Sequence, residues 1–317
     1  MNKVVCMGES LIDFMPQGKE LAFVAKAGGA PSNVCACVAK LGGNGYYLGK
    51  MGKDIFSKFL ISNMQKYGVN TSYVDFDERY QTALAFVALD ENGDREFNFY
   101  RKETSDIMFD KSNVNEQMFE NGDILHFCSL GLVNAPTKEA HRFAIECAKT
   151  KGCIISFDVN MRLGLWDSTE SCVLAINEFL PYADILKVTD EELKLITNMQ
   201  DEKTAVEQLL VKADNCKIVL VTKGANGVTA YDRGMSSVSH SAIDVKVVDT
   251  TGAGVCFIGC TLYLLASQAI SLNIDDIEQA IDFASYGSAV VIGNYGAMEA
   301  MPTINDIEVL RNSISSK

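Results

Sequence analysis

Seven residues, Asp249-Thr250-Thr251-Gly252-Ala253-Gly254-Val255, carry the clearest chemical signal in the chain. They run straight into the apolar stretch from Cys256 to Ala266, so the spacing predicts a turn that opens a helix. The N–H groups of Gly252, Ala253 and Gly254 then point outward at the positive end of that helix and can bind an anion. Small residues let the anion approach the backbone closely. The bland alternative is a flexible strand-to-helix turn without a ligand. Val255 ends the turn with a hydrocarbon side chain.

Two other glycine-rich readings fail. A G-x-G-x-x-G dinucleotide fingerprint would have to follow the first strand, but Gly8 leads into Glu9-Ser10-Leu11-Ile12-Asp13-Phe14. A P-loop would need glycine at Asn44 and serine or threonine at Met51.

The elements that must position this turn are legible as apolar runs. Strands are predicted at Lys3 to Gly8, Asp123 to Cys128, Gly152 to Asn160, Ala183 to Thr189 and Lys217 to Gly224. Their near-continuous hydrophobicity suits strands buried on both faces, and the helical patterns between most of them predict a mostly parallel sheet flanked by helices. Pro31 and Ser32 open one helix that Gly42-Gly43 ends, and Asp54 caps another that stops at Gly68. Two alternating stretches read as hairpins of a small β-sheet lid, at approximately residues 12–27 and 72–103, the second turning at Asn92-Gly93. The expectation is one α/β domain over residues 1–317 carrying a discontinuous lid.

At 317 residues and 48% hydrophobic content the chain can bury a large core. A formal net charge of -13 disfavours nucleic acid and acidic membranes as partners, because polyanion binding needs a cationic surface. Ten cysteines without a CxxC pair, beside only three histidines, read as reduced, buried thiols of a cytoplasmic protein. The N-terminus has no signal-like segment, and no apolar run is long enough for a membrane span.

From Lys3 to about Thr303 the chain resembles the ribokinase-like (PfkB-type) carbohydrate kinases, and within them the fructokinase branch. The matching strings occur in order. They are GESLIDF (Gly8 to Phe14), AGGAPSNVCACVAKLGG (Ala27 to Gly43), LGKMGKDIFSKFL (Leu48 to Leu60), FYR (Phe99 to Arg101), FDVNMRLGLW (Phe157 to Trp166), ADILKVTDEEL (Ala183 to Leu193), LVTKGANG (Leu220 to Gly227), VDTTGAG (Val248 to Gly254) and GAMEAMPT (Gly296 to Thr303). The resemblance implies a three-layer ribokinase-like fold and transfer of the γ-phosphoryl group of ATP to a sugar hydroxyl, with Mg²⁺ and a monovalent cation such as K⁺.

By resemblance, Asp13, Gly28, Gly29 and Asn33 line a sugar pocket. On its own Asp13 reads equally as a solvated loop acid. Arg101 is either a contact to sugar or phosphate or an exposed strand-end cation. Arg162, with Asp158 and Asn160, lies beyond a strand's C-terminal end and faces the reaction centre. Lys187, Thr222, Gly224 and Gly227 belong to the nucleotide. Glu192 takes the place of the glutamate in the family's Asn-x-x-Glu motif associated with Mg²⁺, while Thr189 replaces its asparagine. The carbonyls of Asp249 and Thr251 would hold the monovalent cation. The family pattern ends its glycine turn with an aspartate that takes the hydroxyl proton, and Val255 stands there instead. Neither Asp249 nor Cys256 is placed to substitute.

An aspartate codon becomes a valine codon by one base change, and the surrounding motifs are intact, so the leading reading is a fructokinase with one damaging substitution. The alternatives are a 2-keto-3-deoxygluconate kinase and a non-catalytic sugar- or nucleotide-binding protein. Lid edge strands further predict a homodimer.

Overall fold

Apolar runs become strands because alternate residues can be buried on opposite faces of one sheet. The structure, a computed structural model, describes residues 1–18, 21–89, 95–268 and 271–315. Its first elements are β1 (Lys3–Met7), β2 (Leu11–Pro16), β3 (Phe23–Gly28), α1 (Ala30–Lys40), β4 (Asn44–Gly52), α2 (Ile55–Lys66), β5 (Asn70–Asp77), β6 (Leu84–Leu89) and β7 (Arg95–Tyr100). Strands and helices then alternate through β8 (Ile124–Cys128), α3 (Pro136–Thr150), β9 (Ile154–Asp158), α4 (Thr169–Phe179), β10 (Ile185–Thr189), α5 (Asp190–Thr197), α6 (Glu202–Lys212) and β11 (Ile218–Thr222). The chain ends with β12 (Val228–Asp232), β13 (Ser237–His240), α7 (Ala253–Gln268), α8 (Ile274–Ile292) and α9 (Ile304–Ser315).

The large sheet has the order β13-β12-β11-β10-β9-β8-β1-β4-β5, parallel from β11 through β5 and antiparallel at β12 and β13. Val5 and Met7 of β1 pack with α3, α4, α5 and α6, whereas Val4 and Cys6 pack with α1, α2, α7, α8 and α9. This is the expected three-layer α/β ribokinase-like fold. Each fully buried aliphatic side chain contributes about 1.5–3 kcal/mol, so the strand ends are held firmly from both sides.

β1 lies between β8 and β4, so the chain winds outward in both directions from it. Such a switch point leaves a crevice beyond the C-terminal ends of the strands. Asp54 caps α2 as expected, accepting from the N–H groups of Phe56 and Ser57 at 2.9 Å. All ten cysteines are unpaired, nine of them buried. Among the described residues no helix is long and apolar enough to cross a membrane.

The smaller sheet has the order β3-β2-β6-β7. Its second part therefore begins at Leu84, which corrects the expected lid segment of residues 72–103. Residues 70–77 form β5, the outer strand of the large sheet, paired parallel with β4 across the α2 crossover. An edge strand alternates between buried and solvated side chains much as a hairpin strand does, and this explains the difference. β6 and β7 pair antiparallel from Leu84 opposite Tyr100 to Leu89 opposite Arg95, and the turn at Asn92-Gly93 lies outside the described residues.

Candidate functional site

A cleft of about 320 Å³ opens at the switch point, between the large sheet and the lid. Asp13, Gly29, Asn33, Asp158, Asn160, Arg162, Lys187, Thr251, Gly252, Gly254 and Val255 all line it. Residues from both ends of the sequence thus meet around one space.

One wall is set by close backbone approach. Asp13 lies on β2, opposite Lys26 of β3. A Cβ on Gly28 would fall 2.1 Å from the Oδ2 of Asp13, so the glycine is what leaves room for this carboxylate. Gly29 has φ 107°, and a Cβ there would lie 2.5 Å from the carbonyl of Glu9. α1 therefore begins directly under the end of β1, and Glu9 Oε1 accepts from the N–H of Ala30 at 2.8 Å, an acid at a helix N-terminus. Burial pushes the Glu9 carboxyl above its usual range, while Arg101 opposes the shift. One turn into the helix, buried Asn33 has no hydrogen-bond partner for its Oδ1. Since buried polar atoms are almost always paired, this oxygen is one a ligand would satisfy.

The opposite wall is set by charge and strain. Asp158 and Lys187 are register partners on β9 and β10, both buried, with Nζ donating to Oδ1 at 2.8 Å. A Cβ on Gly254 would lie 3.4 Å from that same Nζ, which brings the ammonium beside the first turn of α7. Helix first-turn N–H groups lack intrahelical acceptors, so amides and ammonium together could hold an anion. Gly252 has φ 87°, in the left-handed region. Asn160 has φ 39° and an Nδ2 without a partner, a backbone strain of the kind found at functional sites.

Glu192 holds this wall from behind. Its Oε1 accepts from Met161 N–H at 2.6 Å and its Oε2 from Thr189 N–H at 2.8 Å, while Thr189 caps α5 in return. Burial raises the Glu192 pKa and Lys187 opposes the shift. Thr189 thus fills the capping role on α5, a role open to asparagine as well. Asp249, also buried, accepts from the N–H groups of Thr251 (2.8 Å) and Gly296 (3.2 Å), tying the glycine turn to the loop before α9. The turn is fixed before any ligand arrives.

Several expected site residues lie elsewhere. Arg101 is neither exposed nor on the cleft wall: it pairs with Asp106 at 2.5 Å and donates to the carbonyl of Leu130 at 2.8 Å, both in the interior. Leu130 lines the cleft, so Arg101 supports the wall instead of forming it. Gly28 lies beneath Asp13. Thr222 ends β11, one strand beyond Lys187, with Gly224 and Gly227 just after it, and all three are absent from the wall. Gly227 is demanded by packing, since a Cβ there would fall 2.0 Å from the carbonyl of His240. Glu9, Phe99, Asp106 and Leu130 were not singled out from the sequence. Only Glu9 carried a signal, as an acid between Gly8 and Ser10 directly after an apolar strand.

Val255 lines the cleft and packs at its back against the layer of α1, α7 and α8. Cys256 turns the other way and is fully buried.

Residues 1–304 match the model of the pfkB family of carbohydrate kinases. The chain is 38% identical to the probable fructokinase-5 of Arabidopsis thaliana over 319 aligned residues, covering 98% of each. Its backbone is similar to that of a fructokinase with bound ATP from Xylella fastidiosa, with a TM-score of 0.92, 32% identity and 99% of each chain covered. A double-mutant fructokinase from Vibrio cholerae O395, in fructose, ADP and potassium ion bound form, gives a TM-score of 0.91 at 30% identity, with 98% of each chain covered.

Proposed function

Because the chain belongs to the pfkB family of carbohydrate kinases, we propose that its cleft transfers the γ-phosphoryl group of ATP to D-fructose, giving fructose 6-phosphate and ADP, and that Val255 makes this chain slow. It is a fructokinase-type kinase that acts on a sugar with ATP. One observation carries the finer reading: Gly252, Gly254 and Val255 share a single cleft with Asp13 and Asn33.

Each residue then has a task. Asp13 accepts hydrogen bonds from sugar hydroxyls, and Asn33 Oδ1 gains the donor it lacks. Gly252 and Gly254 present N–H groups to phosphate oxygens, with Lys187 alongside, while the N–H of Ala253 donates to the carbonyl of Thr250 and closes the turn. ATP would supply the phosphoryl group, and Mg²⁺ when bound would offset its charge. The cation would be held through water by Asp158 and Glu192, because Lys187 takes one oxygen of Asp158 and two amides occupy Glu192. Nucleotide beyond the phosphates would extend toward Thr222, Gly224 and Gly227. A monovalent cation would use the carbonyls of Asp249 and Thr251, on the turn that the Asp249 carboxylate fixes.

Alignment and charge stabilisation survive in this arrangement, but the position beside the anion site has no proton acceptor. Loss of a positioned base costs roughly 10²–10⁴ in rate. Cytoplasmic placement agrees with ten unpaired cysteines. Among the described residues β3 and β7 are the outer strands of the lid sheet, which supports a homodimer through the lid, as sedimentation of the purified chain would show.

Arg162 favours a second reading. It is exposed and lines the cleft, and a guanidinium there would suit the carboxylate of 2-keto-3-deoxygluconate. A coupled assay of ADP release by Val255→Asp protein separates the readings. Fructose is expected to be turned over faster than the keto acid, and the reverse order would move the assignment to that acid. No turnover with either would leave the sugar- and nucleotide-binding role.

A further inference from the structure

Directly behind the cleft, three thiols meet in the interior. Cys256 and Cys260 project from one face of α7 at the i, i+4 spacing, and Cys37 reaches them from α1, 219 residues away from Cys256 in sequence. The three sulfurs lie 3.7, 3.8 and 4.0 Å apart, and each side chain is fully buried.

We propose that Cys37, Cys256 and Cys260 form a three-coordinate site for a soft monovalent cation, Cu(I). An ion centred in a triangle of these sides lies about 2.2 Å from each sulfur, close to the roughly 2.3 Å of a zinc–thiolate bond. Thiols in van der Waals contact stand at similar separations, and what this triangle adds is a centre at bonding distance from all three sulfurs. Thiolate ligands select Cu(I) among the common soft ions, whereas structural zinc takes four ligands and this cluster, among the described residues, holds three.

The helices around the cluster are shaped for it. Gly259 lies inside α7 and Gly287 inside α8, where glycine costs about 1 kcal/mol relative to alanine. A Cβ on Gly287 would lie 2.5 Å from the Sγ of Cys260, and one on Gly259 would lie 2.9 Å from the Sγ of Cys37. Both glycines thus clear the space that the sulfurs occupy. On binding, each S–Cu bond replaces an S–H bond, the protons pass to solvent, and copper keeps its oxidation state. Cys37 is one turn beyond Asn33 and Cys256 adjoins Val255, so an occupied site ties α1 to α7 behind both walls of the cleft. The site stands whether or not the kinase reading does.

The test is anaerobic titration of the full chain with Cu(I) against a chromogenic Cu(I) chelator, for the wild type, Cys37→Ala, Cys260→Ala and, as a control, Cys172→Ala, a buried thiol on α4. The wild type and the control should each withhold one Cu(I) per chain. Loss of a supporting group around a metal typically costs 10–100-fold in affinity, so loss of a ligand should weaken retention by roughly 100-fold or more. X-ray absorption of the loaded wild type should show three sulfurs at about 2.2 Å. The proposal is overturned if the wild type yields all its copper to the chelator, if Cys37→Ala retains copper as tightly as the wild type, or if the absorption spectrum shows fewer than three sulfurs. The last reading needs no variant to fold.

Discussion

Asp13, Gly29 and Asn33 are placed on one wall of the cleft mainly by backbone contact, through glycines that let β1, β2 and α1 converge. Asp158, Lys187 and the first turn of α7 are placed on the other wall by a buried ion pair and by the close approach of Gly254 to its ammonium. The first wall tolerates little added volume, and the second tolerates little change of charge. Val255 stands on the second wall alone, and on the proposed reading it takes the place of a proton acceptor without adding or burying a charge. On that reading the capacity to bind and the capacity to react are separable, and substitutions on the two walls should fail in different ways.

The largest effect is expected for Lys187→Met, which leaves the carboxylate of Asp158 buried and unpaired. Removing one partner of a buried pair typically costs about 3–5 kcal/mol, measurable as a lower midpoint in denaturant unfolding. A loss below about 1 kcal/mol would mean that charge does not organise this wall. Gly28→Ala attacks the opposite wall, where the new methyl must displace the carboxylate of Asp13. Overpacking of this kind costs about 1–3 kcal/mol, and calorimetry should show it as weaker fructose binding with ATP-analogue affinity unchanged.

Asn33→Ala should be subtler. The Oδ1 of Asn33 has no partner within the protein, so stability should hardly move, while fructose affinity drops by about 1 kcal/mol for one lost hydrogen bond. A drop in stability without a drop in affinity would assign Asn33 to the scaffold. The smallest effect concerns His126 on β8. Burial, and then the nearby charge of Lys187, hold its pKa down to about 3, against 6.5 for the free side chain. As pH falls through 6.5 the unfolded chain takes up a proton that the folded chain refuses. Stability therefore declines on acidification between about 6.5 and about 3. His141 on α3, held down to about 4 by burial, titrates in the same sense, so from pH 8 to pH 6 each histidine should cost under about 1 kcal/mol and His126→Gln should remove about half of the loss, as thermal melts would show.

The sequence made the two walls visible to different degrees. Runs such as Lys3 to Gly8 and Lys217 to Gly224 announce buried strands because both faces are apolar, and the glycine turn at Gly252 announces an anion site because few other functions need bare amides before a helix. The residues that hold these pieces in place left weaker traces. Arg101 reads equally as a contact to sugar or phosphate and as a strand-end cation until its partner Asp106 and the carbonyl of Leu130 are seen to surround it. Lys187 and Asp158 meet only through strand register, and the thiols of Cys37 and Cys256 only through the packing of α1 on α7. The β5 segment misled because an edge strand and a lid hairpin share the same alternation. Local pattern was legible, and long-range pairing was not.

The central claim is that an otherwise complete kinase cleft lacks its proton acceptor at residue 255. Its most direct test compares fructose affinity and turnover between this chain and Val255→Asp. The account predicts fructose affinities equal within a few-fold and turnover raised roughly 10²–10⁴-fold by the aspartate. Equal turnover in the two proteins, with fructose bound by both, would contradict it.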